Sequence, residues 1–176
     1  MNNILLSNGA LYDKLQTHQR GLQHYAFSIF LFNSSKELLL QKRALNKYHS
    51  GGLWSNTCCS HFKSLKEFNN KEIAIKQRLK DEIGINFAGE LKFKTIFKYK
   101  ATVGSLIENE IDYIYIGNCD YDVNRVKHSL NRDEVADLKY MSLLDLKQDI
   151  KLEPQNYTVW LKKILINVNL DHLLLF

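Results

Sequence analysis

Proline is almost missing from this chain, one residue in 176, and glycine contributes only eight. That scarcity excludes collagen-like, proline-rich and low-complexity architectures, which need those residues in bulk or at a fixed period. Long apolar runs are missing too. The longest candidate, Ala26 to Phe32, is interrupted by Ser28 and falls far short of the ~20 residues that span a bilayer, so no membrane span and no membrane partner is expected. The first ten residues, Met1 to Ala10, lack a basic segment followed by a sustained apolar one, which predicts a cytoplasmic location. Cysteine is scarce and odd in number, with two of the three adjacent at Cys58 and Cys59. Such a set gives no disulfide framework and predicts free thiols in a reducing compartment, one of them available for chemistry.

What remains is the composition of an ordinary globular protein, 45% hydrophobic and 24% charged. A chain of this length predicts one domain, residues 1–176, with its own core. Lysine and arginine total 24 against 19 acidic residues, a formal charge of +5 that favours an anionic partner. The basic residues are dispersed along the chain, so charge alone leaves a phosphorylated metabolite, a nucleic acid and an acidic membrane open.

The hydrophobic patterning predicts alternating strands and helices. His24 to Phe32 is aromatic and β-rich; after the polar turn Asn33-Ser34-Ser35-Lys36, Glu37 to Arg43 reads as a second strand, the two forming a hairpin. A polar loop, Ala44 to Gly52, precedes a short segment, Leu53 to Cys58, expected to re-enter the sheet. Between Lys71 and Ile83 the period becomes helical: Ile75, Leu79 and Ile83 recur every four residues, and Gly84 suits the left-handed position after the last turn. Strands return at Leu91 to Lys100 and Glu110 to Gly117, joined through Gly104. Two helices are predicted in the tail, Ser142 to Ile150 and Pro154 to Val168, with Pro154 in the first turn of the last. The fold class expected is mixed α/β or α+β, helices packed on a sheet.

Several residues could carry chemistry. His18, His24 and His61 with Glu108 and Glu110 are a donor set that suits Zn, Mn or Fe better than Ca. Taken singly, each histidine reads first as a packing or surface residue and the Glu-x-Glu pair as two solvated carboxylates; only convergence in space changes that reading. Cys59 lies two positions from His61, on the same side of an extended segment, where a thiol can serve as acid or nucleophile. The alternative is that Cys58 and Cys59 are small core residues. Trp160 is either a core residue of a helix or an aromatic face for a cation. Lys14, Arg43, Lys47 and Arg78 could converge on a phosphate; Arg78 and Glu82, one helical turn apart, form either part of a Mg-binding arrangement or an ordinary surface ion pair.

The run Gly52-Leu53-Trp54-Ser55-Asn56-Thr57-Cys58-Cys59-Ser60-His61, followed by Arg78-Leu79-Lys80-Asp81-Glu82-Ile83-Gly84, then Tyr99 and Glu108-Asn109-Glu110, resembles the type I isopentenyl-diphosphate isomerases of the Nudix superfamily. The likeness runs in order from Lys14 through Trp160 and includes Ala26-Phe27-Ser28, Gln41-Lys42-Arg43-Ala44-Leu45 and Asp133-Glu134-Val135. It implies a mixed β-sheet sandwiched between helices and an isomerase of isoprenoid biosynthesis that interconverts isopentenyl and dimethylallyl diphosphate through a tertiary carbocation. Cys59 matches the family's catalytic cysteine and Glu110 its partner acid/base; Tyr99 matches an active-site tyrosine and Trp160 the aromatic residue facing the hydrocarbon. His18, His24, His61, Glu108 and Glu110 match five ligands of a divalent metal, Mn2+, Zn2+ or Mg2+. Glu82 matches the carboxylate that holds Mg2+ on the diphosphate, which Lys14, Arg43, Lys47 and Arg78 contact. No redox cofactor is implied, because substrate and product are isomers; the partner implied is a small diphosphate, not a nucleic acid, on a monomer or weak homodimer. The chain departs from the pattern at Ser60 and Phe62, where the family has Gly and Pro, and at Gly51-Gly52, which replaces Pro-Gly.

Two other readings compete. A Nudix diphosphohydrolase cleaves its substrate with metal-activated water, and at the positions of its Arg-Glu-x-x-Glu-Glu helix this chain has Gln77-Arg78-Leu79-Lys80-Asp81-Glu82, short of most of the carboxylates. A basic nucleic-acid module is suggested by Phe93, Phe97 and Tyr99 interleaved with lysines, but it leaves the thiol, acid and histidine set without a purpose.

Overall fold

A short antiparallel hairpin of β1 (Asn3–Leu5) and β2 (Leu11–Asp13) leads into helix α1 (Lys14–Arg20). The helix starts where the Asp13 carboxylate accepts from Gln16 N at 3.0 Å, and stops at Gly21, whose φ of 59° reverses the chain. None of these three elements was expected from the sequence, because each is too short to show a period. The computed structural model describes residues 2–170; Met1 and residues 171–176 of the expected 1–176 domain lie outside the described residues.

The main sheet has β3 (His24–Phe32) at its centre, followed by β4 (Glu37–Arg43), β5 (Trp54–Ser55) and β6 (Cys58–His61). The expected hairpin of β3 and β4 exists only at its turn, pairing at Phe32 with Leu38. Beyond that the two strands part, and Thr57 stands between them: its hydroxyl donates to Leu39 O at 2.6 Å and accepts from Leu31 N at 2.9 Å. One buried side chain thus replaces ladder bonds that the separated strands lose. The same detour, fixed by Asn56 Nδ2 on Ile29 O and Cys58 O, splits the expected Leu53 to Cys58 strand into β5 and β6.

Helices α2 (Leu65–Asn69) and α3 (Lys71–Ile83) follow, then the long hairpin of β7 (Lys92–Val103) and β8 (Leu106–Asn118), which turns through Gly104. Glu108 and Glu110 lie within β8, which opens at Leu106, four residues before the expected start at Glu110. After α4 (Val123–Val126) come β9 (Val135–Ser142), α5 (Leu143–Leu152) and α6 (Val159–Asn167). Ser142 ends β9 and caps α5, its hydroxyl accepting from Asp145 N. The expectation for Pro154 is corrected: it lies in a separate 3-10 turn, Pro154–Asn156, and the last helix begins at Val159. The reason is that Tyr157 is held extended, bridging to Trp54, while Thr158 N bonds Trp54 O at 3.0 Å before the helix can start.

Both faces of the sheet are covered, which is why β3 reads as a continuous apolar run. Phe27, Ile29 and Leu31 of β3 pack with Ile75, Leu79 and Ile83 of α3; Phe30 and Phe32 face the other way, among Leu143 and Leu146 of α5 and Leu161 and Ile164 of α6. No helix among the described residues is long and apolar enough to cross a membrane.

Gly84 closes α3 with φ 77°, and a Cβ there would lie 2.5 Å from Ser129 O. Gly84→Ala is therefore expected to destabilise the fold by more than ~1 kcal/mol in urea unfolding, since both the left-handed backbone and the contact oppose it.

Candidate active site

Strand register brings the chemistry together. β3 and β8 run parallel with His24 opposite Glu110, while β6 lies antiparallel to β3 with Cys59 opposite Ser28 and His61 opposite Ala26. Because side chains alternate, Cys59 and His61 share a face with His24, and Glu108, Glu110 and Asp112 share it on β8. From β7, Tyr99 is opposite Glu110. Helix α1 delivers His18 to the same place, 3.2 Å from Glu108 through Nε2.

Four ligand atoms, one each from His18, His24, His61 and Glu108, lie within 4.8 Å of one another. The outer ring nitrogens explain their orientation. His18 Nδ1 donates to Lys14 O at 2.6 Å and His24 Nδ1 to Leu22 O at 2.8 Å, which leaves both Nε2 lone pairs directed inward. His18 Nε2, His24 Nε2 and Glu108 Oε2 are buried without a well-aligned hydrogen-bond partner. Buried polar atoms left so are costly unless a further group satisfies them, and three imidazoles with a carboxylate fit a divalent metal. Glu110 touches the group rather than joining the four: Oε1 is 3.0 Å from His61 and 3.6 Å from His24, and Oε2 accepts from Tyr99 OH at 2.7 Å.

The two carboxylates are held ionised. Burial and the neighbouring Glu110 push Glu108 up, but the closeness of the His18 and His49 imidazoles outweighs them and sets it at about 2. Burial also works against Glu110, and His24 and Tyr99 reverse it. Two residues on, Asp112 has no such cation; burial and the charge of Glu110 raise it well above the usual range, and Ser28 Oγ donates to it at 2.8 Å. Burial drives His61 well below its ordinary value, the neutral state a ligand needs. Burial likewise pushes the Cys59 thiol up to about 12, so it holds its proton at neutral pH and is suited to act as an acid.

Cys59, Glu110 and Trp160 line one cleft with His61 and Glu108. Trp160 is fixed by its Nε1, which donates to Ser55 Oγ at 2.8 Å, and the Arg43 guanidinium lies 5.1 Å from the ring centroid. Lys14, Arg43, Lys47 and Arg78 all reach the same cleft. Burial, and then the charges of Lys47, Arg78 and Arg43, lower Lys14 to about 8. Four basic groups held this close would favour an anion between them, and Glu134 pairs with both Lys47 and Arg78. Glu82 is buried on α3, accepting from Arg78 Nε at 2.6 Å and Gln41 Nε2 at 3.3 Å; it lines the cleft but stands outside the four-ligand group. All three cysteines are free thiols.

Sequence reasoning missed His49 and Tyr48. His49 Nε2 lies 2.9 Å from Glu108 Oε1, and the Lys14 ammonium sits 4.6 Å from the Tyr48 ring centroid. Both sit in an irregular loop, where no periodicity signals which way a side chain points.

The NUDIX domain model matches residues 22–161. Among curated relatives, isopentenyl-diphosphate Delta-isomerase 2 of Aromatoleum aromaticum is 44% identical over 156 residues, 88% of this chain and 77% of that protein. The isopentenyl-diphosphate Delta-isomerase of Aliivibrio fischeri strain ES114 is 41% identical over 167 residues, 92% of this chain and 88% of that protein. The chain belongs to the isopentenyl-diphosphate Delta-isomerase family. Solved structures set this isomerase-family chain in the Nudix fold: DR0079 from Deinococcus radiodurans matches with a TM-score of 0.70 at 12% identity, covering 95% of this chain and 98% of its own. MutT protein from Methanosarcina mazei Go1 matches with 0.59 at 16% identity, over 85% of this chain and 95% of its own.

In this isomerase-family chain, anion affinity should depend on Lys14. Its proton is lost as pH rises through about 8, so inorganic pyrophosphate should bind more weakly above that pH, by up to about tenfold per unit. Calorimetric titration across the range checks this, and Lys14→Arg should flatten the profile relative to the native chain, a comparison that cancels the ligand's own titration.

Proposed function

We propose that this chain interconverts isopentenyl diphosphate and dimethylallyl diphosphate, and that residues 1–176 form one isomerase domain. The observation that carries the proposal is the placement of a protonated thiol, an ionised carboxylate and an indole on one cleft beside four cations, in a chain 44% identical to a named isomerase.

Moving a double bond along an allyl unit needs a proton added at one carbon and another removed two carbons away. Cys59, which keeps its proton, supplies the first; Glu110, which keeps its charge, accepts the second. Tyr99 positions Glu110 through its hydrogen bond. The tertiary carbocation between the two steps must be kept from water, and Trp160 offers it an electron-rich face. Lys14, Arg43, Lys47 and Arg78 bind the diphosphate, and Glu82 holds the Mg2+ that accompanies it. His18, His24, His61 and Glu108 would hold the second divalent ion, Mn2+, Zn2+ or Mg2+, with Glu110, which touches that group, as a fifth ligand; when bound, the ion would supply positive charge that stabilises the ionised carboxylates. No redox cofactor takes part. Binding of the charged diphosphate supplies energy for closing the cleft around the hydrocarbon. We assign a small diphosphate as partner, with the chain acting in the cytoplasm as a monomer or weak homodimer.

Isopentenyl diphosphate and Mg2+ in deuterated water, followed by NMR, should give dimethylallyl diphosphate carrying deuterium and no free phosphate. Release of phosphate would instead place the chain among the hydrolases. Cys59→Ala and Glu110→Gln should each abolish isomerisation, at least 10³-fold (an order-of-magnitude figure for removing an acid/base group), with circular dichroism unchanged; an active Cys59→Ala chain overturns the mechanism. Trp160→Phe should retain more activity than Trp160→Leu.

A further inference from the structure

The loop between β4 and β5 carries a histidine for which the proposed reaction has no task. The His49 side chain is 7% exposed, so it is not a surface group. Three contacts tie it to three parts of the site. Its Nε2 is 2.9 Å from Glu108 Oε1, while the other oxygen of that carboxylate, Oε2, faces His18. Its ring meets Trp160 edge-on, with centroids 5.9 Å apart. Its carbonyl accepts from Arg43 Nη2 at 3.3 Å.

The loop is shaped to hold this ring. Ser50 takes φ 52°, a left-handed conformation costly for any residue but glycine, and its Oγ lies 3.2 Å from His49 Nδ1. With the hydroxyl donating to Nδ1, the neutral ring carries its proton on Nε2, which lies 2.9 Å from Glu108 Oε1 but is not aligned for a full hydrogen bond, so the contact orients the carboxylate by proximity and dipole. Gly51 follows where a Cβ would lie 2.4 Å from Leu45 O, so the loop closes on its own backbone there. On the other side, Lys47 is anchored to Glu134 and Tyr48 lies against Lys14. Every residue from Lys47 to Ser50 thus has a contact that restrains it.

His49 is not one of the four groups that converge on the ligand site, so it acts through Glu108. We infer that His49 is a positioning residue: it orients Glu108 toward the metal through Oε2 and, by way of Arg43, ties metal binding to occupation of the diphosphate site. The inference rests on the metal site of the proposed function. Outer partners of ligating carboxylates commonly change metal affinity 10- to 100-fold when removed. Because the same loop touches Arg43, an anion bound by Arg43 should tighten the metal, and the metal should tighten the anion by the same factor.

Mn2+ binding to the full chain, followed by the paramagnetic resonance of free Mn2+ with and without inorganic pyrophosphate, tests this once the Mn2+ taken up by pyrophosphate without protein is subtracted and the titration is repeated in Glu82→Gln, which removes the ion carried with the diphosphate. The native chain should bind Mn2+ more tightly when pyrophosphate is present. His49→Ala should weaken Mn2+ about 10- to 100-fold and abolish the gain from pyrophosphate, and His49→Gln, which keeps a donor on the loop, should recover part of both. Unchanged affinity and unchanged coupling in His49→Ala overturn the inference while leaving the metal site standing. Should the alanine chain fail to fold, His49→Gln decides: native values for both would be expected of a merely structural ring, intermediate values of a positioning one. A native chain whose Mn2+ binding is indifferent to His24→Ala refutes the metal site itself, a different failure.

Discussion

Two buried carboxylates on one face of β8, Glu108 and Glu110, set the terms for everything around them. Like charges two residues apart in a strand repel, and neither has water enough to offset its burial. Each is met by a separate set of neighbours: the imidazoles of His18 and His49 lie beside the first, and His24, His61 and the donating hydroxyl of Tyr99 beside the second. Those neighbours come from a helix, a loop and three different strands, so the ionised pair survives only if the whole arrangement of sheet and helix is in place. Asp112 shows what happens on the same face without such company, since there the proton stays on.

The anion site is the counterpart of that acidic group. Burial first, and then the crowding of Arg43, Lys47 and Arg78, depresses Lys14, and Glu82 and Glu134 pair with members of the cluster. The net charge of +5 is thus less informative than its distribution: basic residues scattered in sequence are gathered in space by α1, the end of β4, the loop after it and α3. The ion pair of Arg78 with Glu82, which from spacing alone reads equally well as a surface pair, is buried at the cleft.

Much of this was legible before any coordinates. The strand at His24 to Phe32, the helix from Lys71 to Ile83 and its glycine stop announce themselves through period and composition. The ordered motifs from Lys14 to Trp160 pointed to the residues that the fold gathers on one cleft. What escaped has a common cause: side chains that act at long range in sequence. Thr57 stands between two strands 18 and 26 positions away, Tyr157 stays extended because it bridges to Trp54, and His49 finds Glu108 across 59 positions of chain. Local propensity carries no trace of such partners, and Pro154, which locally favours a helix start, is overruled by one of them.

The guanidinium of Arg43 beside the Trp160 ring carries a consequence for how a ligand is sensed as a whole. Arg43 belongs to the basic cluster of the cleft and, at the same time, neighbours the indole that lines it, so under the proposed reaction one residue borders both the charged head and the apolar tail. Head and tail are therefore not independent handles. A molecule offering only a phosphate-rich end engages half of a shared contact, and one offering only a hydrocarbon meets an indole whose neighbourhood is still positively charged.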